Sequence, residues 1–135
     1  MDIMKFLFIL INLILLNNIA LATEPHNDDL TGKNLICFND SYSIDDWGVK
    51  FLKDKIVILY SLDKSMYEIY QYKRKYRTDL RNILITKDKI IEFIINRSRL
   101  ILSNKKCKLV NGDPLILLQN RIKFLRTEKK EGNKI

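Results

Sequence analysis

Trp47-Gly48-Val49-Lys50-Phe51-Leu52-Lys53-Asp54-Lys55-Ile56-Val57-Ile58-Leu59-Tyr60-Ser61-Leu62 contains the two most strand-like runs of the chain, separated by polar turn residues. Trp47, Val49 and Phe51 alternate with Gly48 and Lys50, the period of a strand with one buried face. Residues 55–62 are β-branched, aromatic or aliphatic almost without interruption, and Lys53-Asp54 supplies the turn. The stretch therefore predicts an antiparallel hairpin.

The pattern continues in both directions. Residues 34–38 form a short β run with Leu35 and Cys37 on one face and Ile36 and Phe38 on the other. Residues 39–46 are rich in Asp, Asn and Ser and read as a solvated loop; Asp40, Asp45 and Asp46 lack the ordered alternation of a calcium loop. Beyond the turn at Asp63-Lys64-Ser65, residues 66–76 make a polar strand. Its faces carry Glu68, Tyr70, Tyr72, Arg74 and Tyr76, or Tyr67, Ile69, Gln71, Lys73 and Lys75, and either can point inward. Residues 80–86, 90–95, 99–103 and 106–110 complete the series, with turns at Lys87-Asp88-Lys89 and Asn96-Arg97-Ser98. Asn39-Asp40-Ser41 and Asn96-Arg97-Ser98 also match the glycosylation acceptor pattern.

The N-terminus is a separate matter. Lys5 precedes the apolar run 6–16, and Ala20-Leu21-Ala22 offers the small residues of a signal-peptidase site before Thr23. The run is shorter than the roughly 20 residues of a membrane span. The expectation is a signal peptide over 1–22, a flexible segment over 23–33, a single domain over 34–131 and a tail over 132–135. No transmembrane span remains after cleavage, and the mature chain is exported, periplasmic or extracellular. In an oxidising compartment the only two cysteines, Cys37 and Cys107, are expected to form a disulfide. The bond would bring the first and last strands side by side.

After Asn111-Gly112 the period changes from two to three and four. Asp113 is a good N-cap, Pro114 suits the first helical position, and Leu115, Leu118, Ile122 and Leu125 form one stripe. A helix over 114–130 is expected, packed across the protein's own sheet or over one barrel mouth. The fold class is thus mainly β: an antiparallel meander of about seven or eight strands forming a small closed barrel or strongly curved sheet, with one C-terminal α-helix.

Charge and residue supply limit the chemistry. The chain carries a formal net charge of +8, and residues 50–135 hold 22 bases against nine acids. Such a field favours anionic partners. The single histidine, His26, lies in the N-terminal segment, no nucleophile and base can be assembled, and four glycines leave no phosphate loop. No catalytic, cofactor or metal site is expected; Glu68 and Glu92 are the carboxylates that a glycosidase-like pair would use. Tyr70, Tyr72, Arg74 and Tyr76, flanked by Lys73, Lys75 and Arg77, are the candidate ligand or partner surface, since rings stack and cations meet anions there. The competing structural role for the tyrosines is packing at a barrel rim or under the helix.

The segment Leu30-Thr31-Gly32-Lys33-Asn34-Leu35-Ile36-Cys37, the hairpin through Leu62 and Cys107-Lys108-Leu109 resemble short uncharacterised exported proteins of small-genome bacteria. The resemblance implies a place in the cell envelope. In outline the meander is also similar to lipocalin-like barrels and small periplasmic lysozyme inhibitors. The lipocalin Gly-x-Trp signature is replaced by Gly32-Lys33-Asn34, and the chain is basic where an inhibitor of cationic lysozymes offers acids. The expected function is an exported, non-enzymatic, monomeric binding protein for a small apolar ligand or an anionic envelope component such as an anionic lipid or glycan. The alternative is a structural or protein-interaction module with a filled barrel, bound to an acidic envelope protein. Nucleic acid is not an expected partner.

Overall fold

The computed structural model describes residues 27–132; the expected signal peptide lies outside them. Nine strands follow in order: β1 (Asn34–Cys37), β2 (Asp46–Phe51), β3 (Ile56–Asp63), β4 (Glu68–Thr78), β5 (Asn82–Lys87), β6 (Ile90–Asn96), β7 (Ile101–Leu102), β8 (Lys105–Lys106) and β9 (Lys108–Val110). Helix α1 (Pro114–Gly132) ends the described chain. All pairings are antiparallel, in the spatial order β8-β7-β6-β5-β4-β3-β2-β1-β9. The outermost strands β8 and β9 are separated in sequence by Cys107 alone, so the sheet is barrel-shaped and nearly closed. Cys107 donates its N–H to Leu100 O at 2.7 Å on one side. On the other it is bonded to Cys37, with a Cα–Cα distance of 4.1 Å, next in register after the pair Ile36 and Lys108.

The expected hairpin is β2–β3, with Phe51 opposite Val57 and Trp47 opposite Ser61. Asp54 and Lys55 both have positive φ (62° and 58°), as do Asp88 and Lys89 (52° and 69°) and Ser103 and Asn104 (45° and 66°). Two successive left-handed residues make the turn whose twist matches that of the strands it joins. Lys55 therefore belongs to the turn rather than to β3. Longer connections are shaped by carboxylate or amide side chains: Asp63, Asp79 and Asn96 each accept backbone N–H bonds from residues two and three positions on. Asn39 and Asn96, which match the glycosylation acceptor pattern, accept the backbone N–H of Ser41 and Ser98 in their turns.

The last part of the meander departs from expectation. Residues 99–103 supply only two strand residues because Leu100 has φ 54° and breaks the run. The single expected strand 106–110 is split around Cys107, serving β7 before it and β1 after it. A bulge in β6 sits where its register with β5 shifts, between Ile85 and Thr86.

Alternation divides the side chains into two cores. Leu35, Cys37, Val49, Phe51, Val57, Leu59, Tyr76, Ile83, Ile85, Ile95, Leu102 and Cys107 fill the inside of the curved sheet. Ile36, Ile58, Tyr60 and Leu62 face outward and are covered by Leu118 and Leu125 of α1. The stripe read from sequence is thus the packing face of the helix. Asp113 Oδ1 accepts the N–H of Leu115 at 3.0 Å, as an N-cap does. Gly48 lets the helix approach: a Cβ there would meet Pro114 Cβ at 2.8 Å.

Two expectations of exposure fail on polar grounds. Asp46, read as part of a solvated loop, opens β2 and is fully buried. Lys64 Nζ lies 2.9 Å from its Oδ1, Arg121 Nε of α1 lies 3.0 Å from its Oδ2, and the N–H of Asn39 donates to Oδ1 at 2.6 Å. Lys64, buried as well, also donates to the carbonyls of Asn39 and Ser41. Residues 27–33, expected to be flexible, are tied to the barrel. Arg97 Nη2 and Asp28 Oδ2 are 2.7 Å apart, Leu30 is buried and donates its N–H to Tyr76 Oη at 2.9 Å, and Gly32 N–H donates to Phe51 O.

Candidate functional site

Pairing of β4 with β3 decides which face of β4 points inward. Tyr70 lies opposite Ser61, Tyr72 opposite Leu59 and Arg74 opposite Val57, so Glu68, Tyr70, Tyr72, Arg74 and Tyr76 share the inner face. The four candidate residues nevertheless separate into two groups. Tyr76 is core: it is buried and meets Phe51 edge-on at 5.1 Å, and burial pushes its phenol upward. Tyr70, Tyr72 and Arg74 lie nearer the start of β4, where the barrel opens, with Tyr70 44% and Tyr72 37% exposed.

At this rim the structure adds residues that sequence reading did not select. Trp47 stacks on Tyr72 at 6.4 Å and packs against Phe93 at 5.5 Å. Lys105 Nζ sits 5.0 Å from the Trp47 ring, and desolvation lowers the affinity of that amine for its proton. Arg74 lies 5.5 Å from the Tyr72 ring and pairs with Glu92 at 3.1 Å. Tyr70 donates to Glu68 at 2.8 Å, and that bond raises its phenol. The Trp47 indole Nε1 is buried without an acceptor among the described residues. Glu68 and Glu92, the carboxylates considered for acid-base work, are each engaged by a different β4 side chain. Alternation of Trp47 with Val49 and Phe51 placed it in the core, and only its position at the end of β2 brings it to the rim.

Beside the rim, where β4 leaves β5, is a groove of about 690 Å³ lined by Lys73, Arg74, Lys75, Arg77, Lys87 and Lys89, with Tyr76, Ile56, Thr86 and Asp88. Among the described residues, Arg74 alone of these six bases has a carboxylate within ion-pair distance. The alternation of β4 sends Lys73 and Lys75 to the outer face, and the β5–β6 turn carries Lys87 and Lys89 to meet them. The result is a concave surface on which six bases outnumber the one acid, Asp88, a balance that concentrates anions. No known family, curated protein or solved structure matches the chain. Among the described residues no three His, Cys, Asp or Glu side chains converge as metal ligands, and no helix is long and apolar enough to cross a membrane.

Proposed function

We propose that the chain is a non-enzymatic binding protein for an anionic component of the cell envelope, held in the basic groove between β4 and the β5–β6 turn. The observation that carries this reading is the set of five cations, Lys73, Lys75, Arg77, Lys87 and Lys89, around one concavity without carboxylate partners among the described residues. Paired cations would gain little from a second anion; among the described residues these five have no ion-pair partner to displace. The neighbouring rim contributes flat rings at Tyr72 and Trp47 beside Arg74, suited to lie against the non-ionic part of a ligand. An apolar ligand inside the barrel has less support, because the space it would need is filled by side chains such as Val49, Val57, Leu59 and Ile85.

The test is retention of the protein on vesicles of anionic lipid, on vesicles of zwitterionic lipid and on an immobilised polyanionic glycan, over a range of salt. Retention on an anionic surface is expected to fall steeply with salt. The triple variant Lys73→Glu, Lys87→Glu, Lys89→Glu is expected to lose it by more than about tenfold with its unfolding transition unchanged. Retention equal to the wild type, or equal retention on zwitterionic vesicles, would count against the groove.

A further inference from the structure

β4 has 11 residues, yet β5 lies beside only Lys75, Tyr76, Arg77 and Thr78. From Glu68 to Arg74 the strand is paired, among the described residues, with β3 alone. Backbone directions follow from parity. The N–H of Tyr76 donates to Lys55 O on the β3 side at 2.9 Å, and successive residues of a strand alternate in the side to which their N–H and C=O point. The odd-numbered Lys75 turns its carbonyl to β5, where Thr86 Oγ1 donates to it at 3.3 Å. Ile69, Gln71 and Lys73 therefore direct their backbone groups to the open side. A row of such groups is a template for another strand.

The free edge reads Glu68-Ile69-Tyr70-Gln71-Tyr72-Lys73-Arg74 and is self-complementary about Gln71. We propose that two copies of this chain pair antiparallel along Glu68 to Arg74, with a twofold axis at Gln71, joining the two barrels through one continuous sheet. In this register Gln71 faces Gln71 of the second copy and Ile69 faces its Lys73; these outward-directed residues exchange the hydrogen bonds. Glu68 faces Arg74 of the second copy and Tyr70 faces its Tyr72. Those are the non-hydrogen-bonded pairs, in which opposing side chains stand closest. Opposite charges and aromatic rings thus meet twice, as an isologous interface requires.

The groups needed have capacity to spare. Arg74 uses Nε for Glu92 and Nη1 for the carbonyl of Lys73, leaving Nη2 for the incoming carboxylate. The Lys73 carbonyl has a second lone pair for the N–H of Ile69 in the second copy. Length agrees as well: past Arg74 the edge is taken by β5, and before Glu68 the chain turns through Lys64, Ser65, Met66 and Tyr67. The free segment is therefore centred on the residue about which its sequence is complementary. This symmetry of charge and length selects a second copy over an unrelated strand. The edge shares Lys73 and Arg74 with the groove, but the inference rests on strand pairing and its symmetry rather than on anion binding.

The experiment is sedimentation equilibrium of the protein as recovered from expressing cells, from micromolar to millimolar concentration, with native mass spectrometry of mixtures. A reversible dimer is expected for the wild type. Glu68→Arg and Arg74→Glu should each weaken it by about tenfold or more, because like charges then oppose one another at both ends. Mixing the two variants should restore a dimer of mixed mass, since each supplies the charge the other lacks. Gln71→Pro removes an N–H that points away from β3, a position proline tolerates on an edge strand, and should give a folded monomer even if Arg74→Glu does not fold. A wild-type monomer throughout, a dimer that Glu68→Arg and Gln71→Pro leave intact, or a different polypeptide in place of the second copy would overturn the proposal.

Discussion

Asp46 is the residue on which the outer core turns. Its carboxylate has two cations and a backbone N–H around it, and one cation, Lys64, is as buried as the acid itself. Removing a buried charge costs chiefly because its partner is left without compensation. Asp46→Asn keeps the shape but strands the Lys64 ammonium, so stability is expected to fall by about 3–5 kcal/mol, read as a shift in the urea midpoint at constant slope. Lys64→Met in the same background should recover part of that loss. A single variant as stable as the wild type would mean that the ammonium is satisfied by the Asn39 and Ser41 carbonyls alone. None of this was legible locally. In sequence Asp46 ends a run of Asp, Asn and Ser and Lys64 lies in an Asp-Lys-Ser turn, both ordinary solvent chemistry. Arg121, which completes the site, is 75 residues from Asp46. Tyr76 escaped in the same way: a tyrosine among arginines and lysines looks like surface, and only Leu30 and Phe51, brought in from elsewhere, make it interior.

Among the elements, the β2–β3 hairpin and α1 were readable because their signals are local: alternation on each strand with turn residues between, and a cap, a proline and a stripe for the helix. The union of the two was not readable, although Gly48 marks it. A glycine at an outward position of an otherwise regular strand looks like a weak point in the sheet, whereas here it makes room for Pro114 and Leu118. Gly48→Ala would put a methyl group 2.8 Å from Pro114 Cβ and 3.3 Å from Leu118 Cδ1. The helix start must then move off the sheet, at a cost of about 1–3 kcal/mol. The expected observation is a lower thermal midpoint with most of the far-ultraviolet helical signal retained; an unchanged midpoint would show that α1 can slide without loss. The inward face of β4 was equally out of reach, because the run 66–76 carries tyrosine on both faces in sequence and only the pairing with β3 distinguishes them, leaving Tyr67 in the turn.

For the molecule as a whole, the two cysteines carried the architecture. Placing one in the first strand and one in the last implied that the ends of the meander meet, and they meet as neighbours across β1 and β9. Sequence could not show that the closing strand changes partners at Cys107, since Lys106-Cys107-Lys108 has no turn or breaker to mark it. With 70 residues between the cysteines, reduction is expected to lower stability by about 4 kcal/mol in the chain-entropy account. Denaturation of oxidised and reduced protein side by side measures this, and coincident curves would mean that the β1–β9 ladder alone holds the ends.

The seam at Cys107 also sets an order in time. β1 is among the first segments made, but its second neighbour is among the last, so the early hairpins can assemble while the outer edge of β1 waits. Contacts so distant in sequence form slowly, and an unpaired edge is the surface on which growing chains adhere to one another. The hazard is therefore greatest between completion of β7 and arrival of β9. Oxidation of the two thiols is the chemical event that marks its end.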